Sequence, residues 1–272
     1  MLPTLLLLGA ARSANARATI DVETRVPLAR TTRALTSVSI DVCALKQGLD
    51  LANPALVSFS RALAPGVVRV GGTDGNDLLY DMNLTHPMAA CACGTNCTLT
   101  APTWRSVLDF AARTGLSLLF GLNPNADALR GAVDLIEHTA TLEVDGLHLL
   151  GYAYGNEGGG DAVTARAYLD RLTTVRAAIA RAYAGKRISR ATSISRAISS
   201  MEGRPSPTPL LVGPDAAVGP RNESSPSDLA HDGKIRANLA WLRTFVATCH
   251  RVLDGVTWHT YDLRPREVRS RI

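Results

Sequence analysis

Six short runs of apolar, β-branched residues recur at intervals of roughly 30 to 60 residues: Ser37–Val42, Val67–Gly72, Ser117–Asn123, Leu147–Asn156, Pro209–Asp215 and Gly255–Leu263. Each is apolar almost throughout rather than alternating, the pattern of strands buried on both faces of a parallel sheet. Between them the period lengthens to that of a helix. Tyr168, Leu172, Val175, Ile179 and Tyr183 share one helical face; Trp104, Val107, Leu108 and Ala111 share another. Leu239, Leu242, Phe245 and Val246 mark a third helix, ending near Cys249. Strands alternating with helices make βαβ units, hence a doubly wound sheet or a TIM barrel.

The polar residues choose between these folds. Four of the six runs end in groups able to do chemistry: Asp41; Thr73 with Asp74; Asn156 with Glu157; and His259 with Tyr261. Chemistry spread over the carboxyl ends of several strands is the barrel pattern. A dinucleotide fold would concentrate its signal in one glycine-rich turn after the first strand, and here that strand runs into Cys43-Ala44-Leu45-Lys46. Gly71-Gly72-Thr73-Asp74-Gly75 is too short and too late to be a phosphate loop. The expectation is an α/β TIM (β/α)8-type barrel, with residues 1–16 a signal peptide and 30–272 a single barrel domain. The count falls short of a full barrel, because only Arg264–Ile272 follow the sixth run. About six βα units are therefore expected, with the last two missing. A fragment, a degenerate copy, or a second chain or dimer closing the barrel would each account for the open arc.

Composition narrows the class. With 272 residues, 46% of them hydrophobic, the chain has material for a large core. The longest apolar run, Leu2–Ala11, is well short of the ~20 residues a membrane-spanning helix needs. The net charge is +5, and all but three of the 29 cationic residues are arginine, scattered rather than striped. With aromatics at 5%, no nucleic-acid partner is expected, whereas a mildly basic surface suits an acidic polysaccharide.

Leu5–Leu8 followed by Ala14-Asn15-Ala16 has the apolar run and small-x-small form of a secretory leader. Three acceptor sequons, at Asn83, Asn96 and Asn222, fall in loop-like segments where glycosylation is expected. The cluster Cys91, Cys93 and Cys97 is either a zinc half-site or part of a loop disulfide. No matching Cys/His pair follows at finger spacing, which favours the disulfide, and five cysteines leave one thiol over. A secreted or lumenal location, lysosome and vacuole included, follows.

Two segments carry the chemistry. A Glu at a barrel mouth can protonate a leaving oxygen, and an adjacent Asn can hydrogen-bond a sugar hydroxyl, so Asn156-Glu157 suits glycoside cleavage; the bland alternative is a solvated loop pair. In Val256–Tyr261, His259 and Tyr261 alternate onto one side of a strand and can order a carboxylate and a sugar ring, or pack as core residues. Taken in order, Ser39-Ile40-Asp41, Val68–Asp74 with Leu78–Asp81, Leu119–Asn123, Tyr154–Glu157, Leu211–Asp215 and Val256–Tyr261 resemble the first six strands of glycoside hydrolase family 79, the heparanase and plant β-glucuronidase group. The resemblance runs from about Ser37 to Arg266.

That resemblance implies a retaining endo- or exo-β-glucuronidase acting on glucuronic-acid-containing polysaccharide or proteoglycan. Glu157 would be the acid/base and Asn156 the partner of the sugar 2-hydroxyl. Asp41, Thr73, His259 and Tyr261 would line the subsite, with Arg266 on the substrate carboxylate. No metal or organic cofactor is called for. The sequence departs from the family at Cys43, where a polar substrate contact is usual, at Gly158-Gly159-Gly160 after the Asn-Glu pair, and in an insertion at Ser189–Ser206. The family's nucleophile, a second Glu on strand seven, and its following β-sandwich are expected to be absent. Asp262 and Glu267 are the nearest later carboxylates. The alternative function is a secreted carbohydrate-binding relative without turnover.

Overall fold

The computed structural model describes residues 36–157, 165–184, 208–218 and 240–260. All six apolar runs are strands of one sheet: β1 (Ser37–Asp41), β2 (Val67–Gly71), β5 (Ser117–Leu122), β6 (His148–Tyr154), β7 (Leu210–Val218) and β8 (Gly255–Thr260). They lie in the order β1-β2-β5-β6-β7-β8, every neighbouring pair parallel. Parallel neighbours require crossovers, and helices supply them: α1 (Val42–Lys46) and α2 (Pro54–Arg61) after β1, α3 (Ala101–Thr114) before β5, α4 (Leu129–Thr141) before β6, α5 (Ala165–Ala182) after β6, and helical residues 240–249 before β8. The chain is thus an α/β protein built as the wall of an incomplete TIM-like barrel, β1 and β8 at its two ends.

Burial shows why β2, β5, β6 and β7 lack alternation; β1, at the edge of the sheet, alternates and keeps Ser37, Ser39 and Asp41 exposed. One face carries Val68, Val70, Leu118, Phe120, Leu122, Tyr152, Tyr154 and Leu211 against the helices. The other gathers Leu150, Ala153, Leu210 and Val212, with Val67 and Leu119, on the lumen side. Both faces leave water, so both are apolar. The helical stripes read from sequence meet the sheet: Trp104, Val107, Leu108 and Ala111 of α3, and Tyr168, Leu172, Val175 and Ile179 of α5, are buried. Phe245 packs edge-on against Tyr168 and stacks on Trp241, fixing the 240–249 helix to α5. Local signals set the ends: Asn53 accepts from the N–H groups of Ala55 and Leu56 to start α2, and Gly115, at φ 71°, stops α3 in the left-handed conformation.

Not foreseen are β3 (Leu78–Asp81) and β4 (Cys97–Thr100), a small parallel pair outside the main sheet, nor the helix α4. The loop between β3 and β4 holds the cysteine cluster, which forms disulfides: Cys43–Cys93 and Cys91–Cys97. Cys249 is the free thiol, buried, and desolvation pushes it up to about 11, which makes it inert. Among the described residues no helix is long and apolar enough to cross a membrane.

One buried hydrogen bond ties α3 to α4. The Trp104 indole N–H donates to Thr139 Oγ1 at 2.8 Å, with both residues buried. Thr139→Val keeps the volume and removes the acceptor, so urea unfolding should show a loss of about 1–3 kcal/mol with an unchanged slope.

Candidate active site

β6 ends in a sharp turn. Gly155, at φ 88°, leaves room for the Tyr168 hydroxyl, which donates to the Tyr154 carbonyl. Two residues on, Glu157 takes the left-handed conformation, φ 47°, and its N–H donates to the Asp215 carbonyl at 2.9 Å. Asp215 is itself at φ 53°, where the β7–β8 register shifts between Gly213 and Ala216. Left-handed backbone at two non-glycine residues is strain of the kind concentrated at functional sites.

The side chains of five strands converge here. His259 of β8 meets Glu157, Nδ1 to Oε1 at 2.8 Å; the two are 24% and 31% exposed, so the carboxyl is open to the cleft yet held from behind. Arg69 of β2 points into the lumen and donates to Asp215 Oδ2 from Nε (3.1 Å) and Nη2 (2.6 Å), to Asn156 Oδ1 from Nη2 (2.7 Å), and to Ser39 Oγ from Nη1 (3.3 Å). Asp215 is 5% exposed and also lies 4.0 Å from His259 Nε2. Gly71 makes space for this: a Cβ there would press on the Arg69 guanidinium. With its Oδ1 fixed by Arg69, Asn156 turns its amide N–H groups toward Thr73 Oγ1, 3.4 Å away, and the cleft.

Glu157, Asn156, Thr73 and His259 therefore come together. The exposed Asp41 also caps α1: its carboxylate accepts from the Cys43 N–H at 2.8 Å and stands against Gly72, whose φ of 102° and missing side chain the close approach demands. Cys43, where a polar contact was expected, is held in a disulfide. Asn83 and Asn96 are exposed, in keeping with their loop assignment. Tyr261, Arg266, Asn222, the leader at residues 1–16, Gly158–Gly160, the insertion Ser189–Ser206, Asp262 and Glu267 lie outside the described residues.

Sequence reasoning missed Arg69 and Asp215, the pair that ties the site together. The available signal was a charge inside Val67-Val68-Arg69-Val70: an arginine mid-strand in a doubly buried sheet must find a partner in the lumen.

A second buried cation supports the β2 loop. Lys46, 0% exposed, donates to Asp74 Oδ1 and to the Thr95 carbonyl, each at 2.7 Å. Burial opposes the charge on Asp74, but the Lys46 and Gly94 hydrogen bonds and the ammonium charge outweigh it and hold the carboxyl below its ordinary value of 3.8. A lowered folded value means the contribution is present above 3.8 and fades as pH falls through the folded value. Lys46→Met should lose about 2 kcal/mol at neutral pH. Urea midpoints for variant and wild type should draw closer as pH falls through the carboxyl range, where only the Asp74 part of the Lys46 contacts is lost.

A groove of about 930 Å³ between the α1–α2 connection and α3, lined by Leu49, Asp50, Arg105 and Asp109 among others, shares no residue with the Glu157 cluster. The convergent polar groups, not this groove, mark the site.

No protein-family model matches the sequence, and no curated protein matches it. Among solved structures the chain is similar to a 4-O-α-L-rhamnosyl-β-D-glucuronidase from Fusarium oxysporum 12S, in complex with Rha-GlcA, at a TM-score of 0.50 and 16% identity. The match covers 85% of this chain and 55% of that one, so the chain spans little more than half the length of that enzyme. At this identity the likeness is one of fold. The architecture is accordingly the parallel α/β barrel wall that a solved β-glucuronidase also has.

Proposed function

We propose that the chain is a glycoside hydrolase of the family 79 type, a retaining β-glucuronidase acting on glucuronic-acid-containing polysaccharide or proteoglycan. One observation carries the reading: Glu157 stands at a strand's carboxyl end, half-buried, with its carboxyl against His259 at 2.8 Å and beside an Asn156 whose amide is locked by Arg69. On this reading Glu157 gives its proton to the leaving oxygen as a second carboxylate attacks C1, so that the C1–oxygen bond breaks while the glycosyl–enzyme bond forms. Asn156 donates from Nδ2 to the sugar 2-hydroxyl, a bond that tightens as the ring flattens toward an oxocarbenium ion. Under the same reading Asp41, Thr73, His259 and Tyr261 line the subsite and Arg266 is assigned to the substrate carboxylate. The fold shared with a solved glucuronidase supports the substrate class. Two disulfides support a secreted or lumenal location, where the exposed Asn83 and Asn96 are open to glycosylation.

Retention needs a second carboxylate about 5 Å from the acid. Among the described residues, Asp215 is buried beside Glu157 with its Oδ2 paired to Arg69, which suits it to holding the site together. A second reading, in which Asn156 and His259 hold a sugar without chemistry, is a carbohydrate-binding relative without turnover. The assay is release of glucuronic acid from a chromogenic β-glucuronide by the full chain. Turnover that Glu157→Gln abolishes is the expected result. Binding of the sugar without release, indifferent to Glu157→Gln, would overturn the hydrolase reading in favour of the binding one.

A further inference from the structure

The turn between β2 and β3, Thr73–Asp77, reaches across to the end of β6 through the side chains of Thr73 and Asn76, and only Asn76 bonds the backbone there. Asn76 Nδ2 donates to the Asn156 carbonyl at 2.7 Å, and Asn76 Oδ1 accepts from the Asn156 N–H at 3.1 Å. One carboxamide thus takes both backbone groups of a single residue, as a neighbouring strand would. Asn156 is 5% exposed, so water does not readily replace these bonds. The Asn76 side is anchored in turn. Its own carbonyl accepts from Asn125 Nδ2 at 3.0 Å, Asn125 N–H donates to Asn123 Oδ1 at 2.8 Å, and Asp74 in the same turn is held by Lys46.

Resting on the hydrolase reading above, we infer that Asn76 is a positioning residue for Glu157. The two bonds clamp the peptides on either side of Asn156, and those peptides set where the Glu157 Cα sits. Glu157 is left-handed, a conformation its side chain disfavours, so the relaxed backbone would swing the carboxyl away from His259. The clamp removes that freedom. Only an asparagine fits: aspartate presents a second acceptor to the Asn156 carbonyl, serine is too short to reach both groups, and glutamine is one carbon too long.

The test compares wild type with Asn76→Asp in the full chain, using kcat/KM for phenyl β-glucuronide and 2,4-dinitrophenyl β-glucuronide. That ratio reports the bond-breaking step. The phenyl leaving group depends on a placed proton donor and the dinitrophenyl group does not. A displaced Glu157 should reduce phenyl release about tenfold to a hundredfold more than dinitrophenyl release, which carries only the loss at the Asn156 contact. Equal losses on both substrates, or none, overturn the inference, because a merely structural role does not discriminate between leaving groups. If Asn76→Asp does not fold, Asn76→Ala takes its place in the same comparison. Should the wild type turn over neither substrate, the hydrolase reading fails, and the clamp is judged on its own by ¹⁵N NMR of His259. With Glu157 as the carboxylate, the wild-type ring carries its proton on Nδ1. Loss of that signature in Asn76→Asp supports the clamp, and its retention overturns it.

Discussion

Arg69→Met is expected to lower the free energy of unfolding by about 3–5 kcal/mol. The substitution keeps an unbranched chain of similar length, so the lumen stays filled while the charge and its donors go. What remains is an Asp215 carboxylate, 5% exposed, with the His259 ring 4.0 Å away, together with an Asn156 Oδ1 that has lost its donor. A buried carboxylate without its partner bears its full desolvation. Guanidinium denaturation gives the number. A loss below about 1 kcal/mol would mean that solvent reaches the pair and that it behaves as a surface ion pair. Arg69→Met combined with Asp215→Leu should recover much of the loss, since the penalty belongs to the unpaired charge rather than to the bond. Arg69→Lys should not: a single ammonium cannot serve Asp215 and Asn156 from one rigid fork as Nε and Nη2 do.

Glu157→Gln is expected to cut release from an unactivated aryl β-glucuronide by about 10²–10⁴-fold with little change in stability. The amide has the same shape, and its oxygen still accepts from His259, so the turn at φ 47° persists while the transferable proton is lost. The side chain is 31% exposed, so no buried charge is created or stranded. Steady-state rates with matched melting curves make the measurement. A variant within a few-fold of wild type would move the proton donor to another group and sever the tie between the β6 turn and the chemistry. A loss accompanied by a large fall in melting temperature would assign Glu157 a structural role.

The parts of the fold that were legible in the chain are those where burial acts on a whole segment. Val67–Gly71, apart from Arg69, and Ser117–Leu122 are largely apolar on both sides because helices cover one face and lumen-side residues of neighbouring strands pack on the other. The stripe from Tyr168 to Ile179 repeats because every member meets the sheet. Where one residue carries the packing, the pattern thins. Residues 78–81 and 97–100 are too short for a period to show, and they pair with each other through a loop stapled by disulfides rather than with the main sheet. In α4 the buried residues Ala132, Leu135, Ile136 and Thr139 include a small and a hydroxylated side chain, which blurs the stripe.

The candidate site divides along the same line. Glu157, Asn156 and His259 could be picked out because strand-end chemistry follows from local order along the chain. Arg69 and Asp215 are 146 residues apart, and Asn76 and Asn156 are 80 apart, so their pairing is invisible until the strands are laid side by side. By itself the sequence determined the alternation of strands and helices, the α/β class and the ends at which polar groups cluster, because each depends on a repeated local choice between water and core. Only the tertiary structure decided which charges neutralise one another, that Asp41 caps a helix, and which backbone a distant asparagine holds. Those outcomes depend on distances across the sheet, which no spacing along the chain encodes.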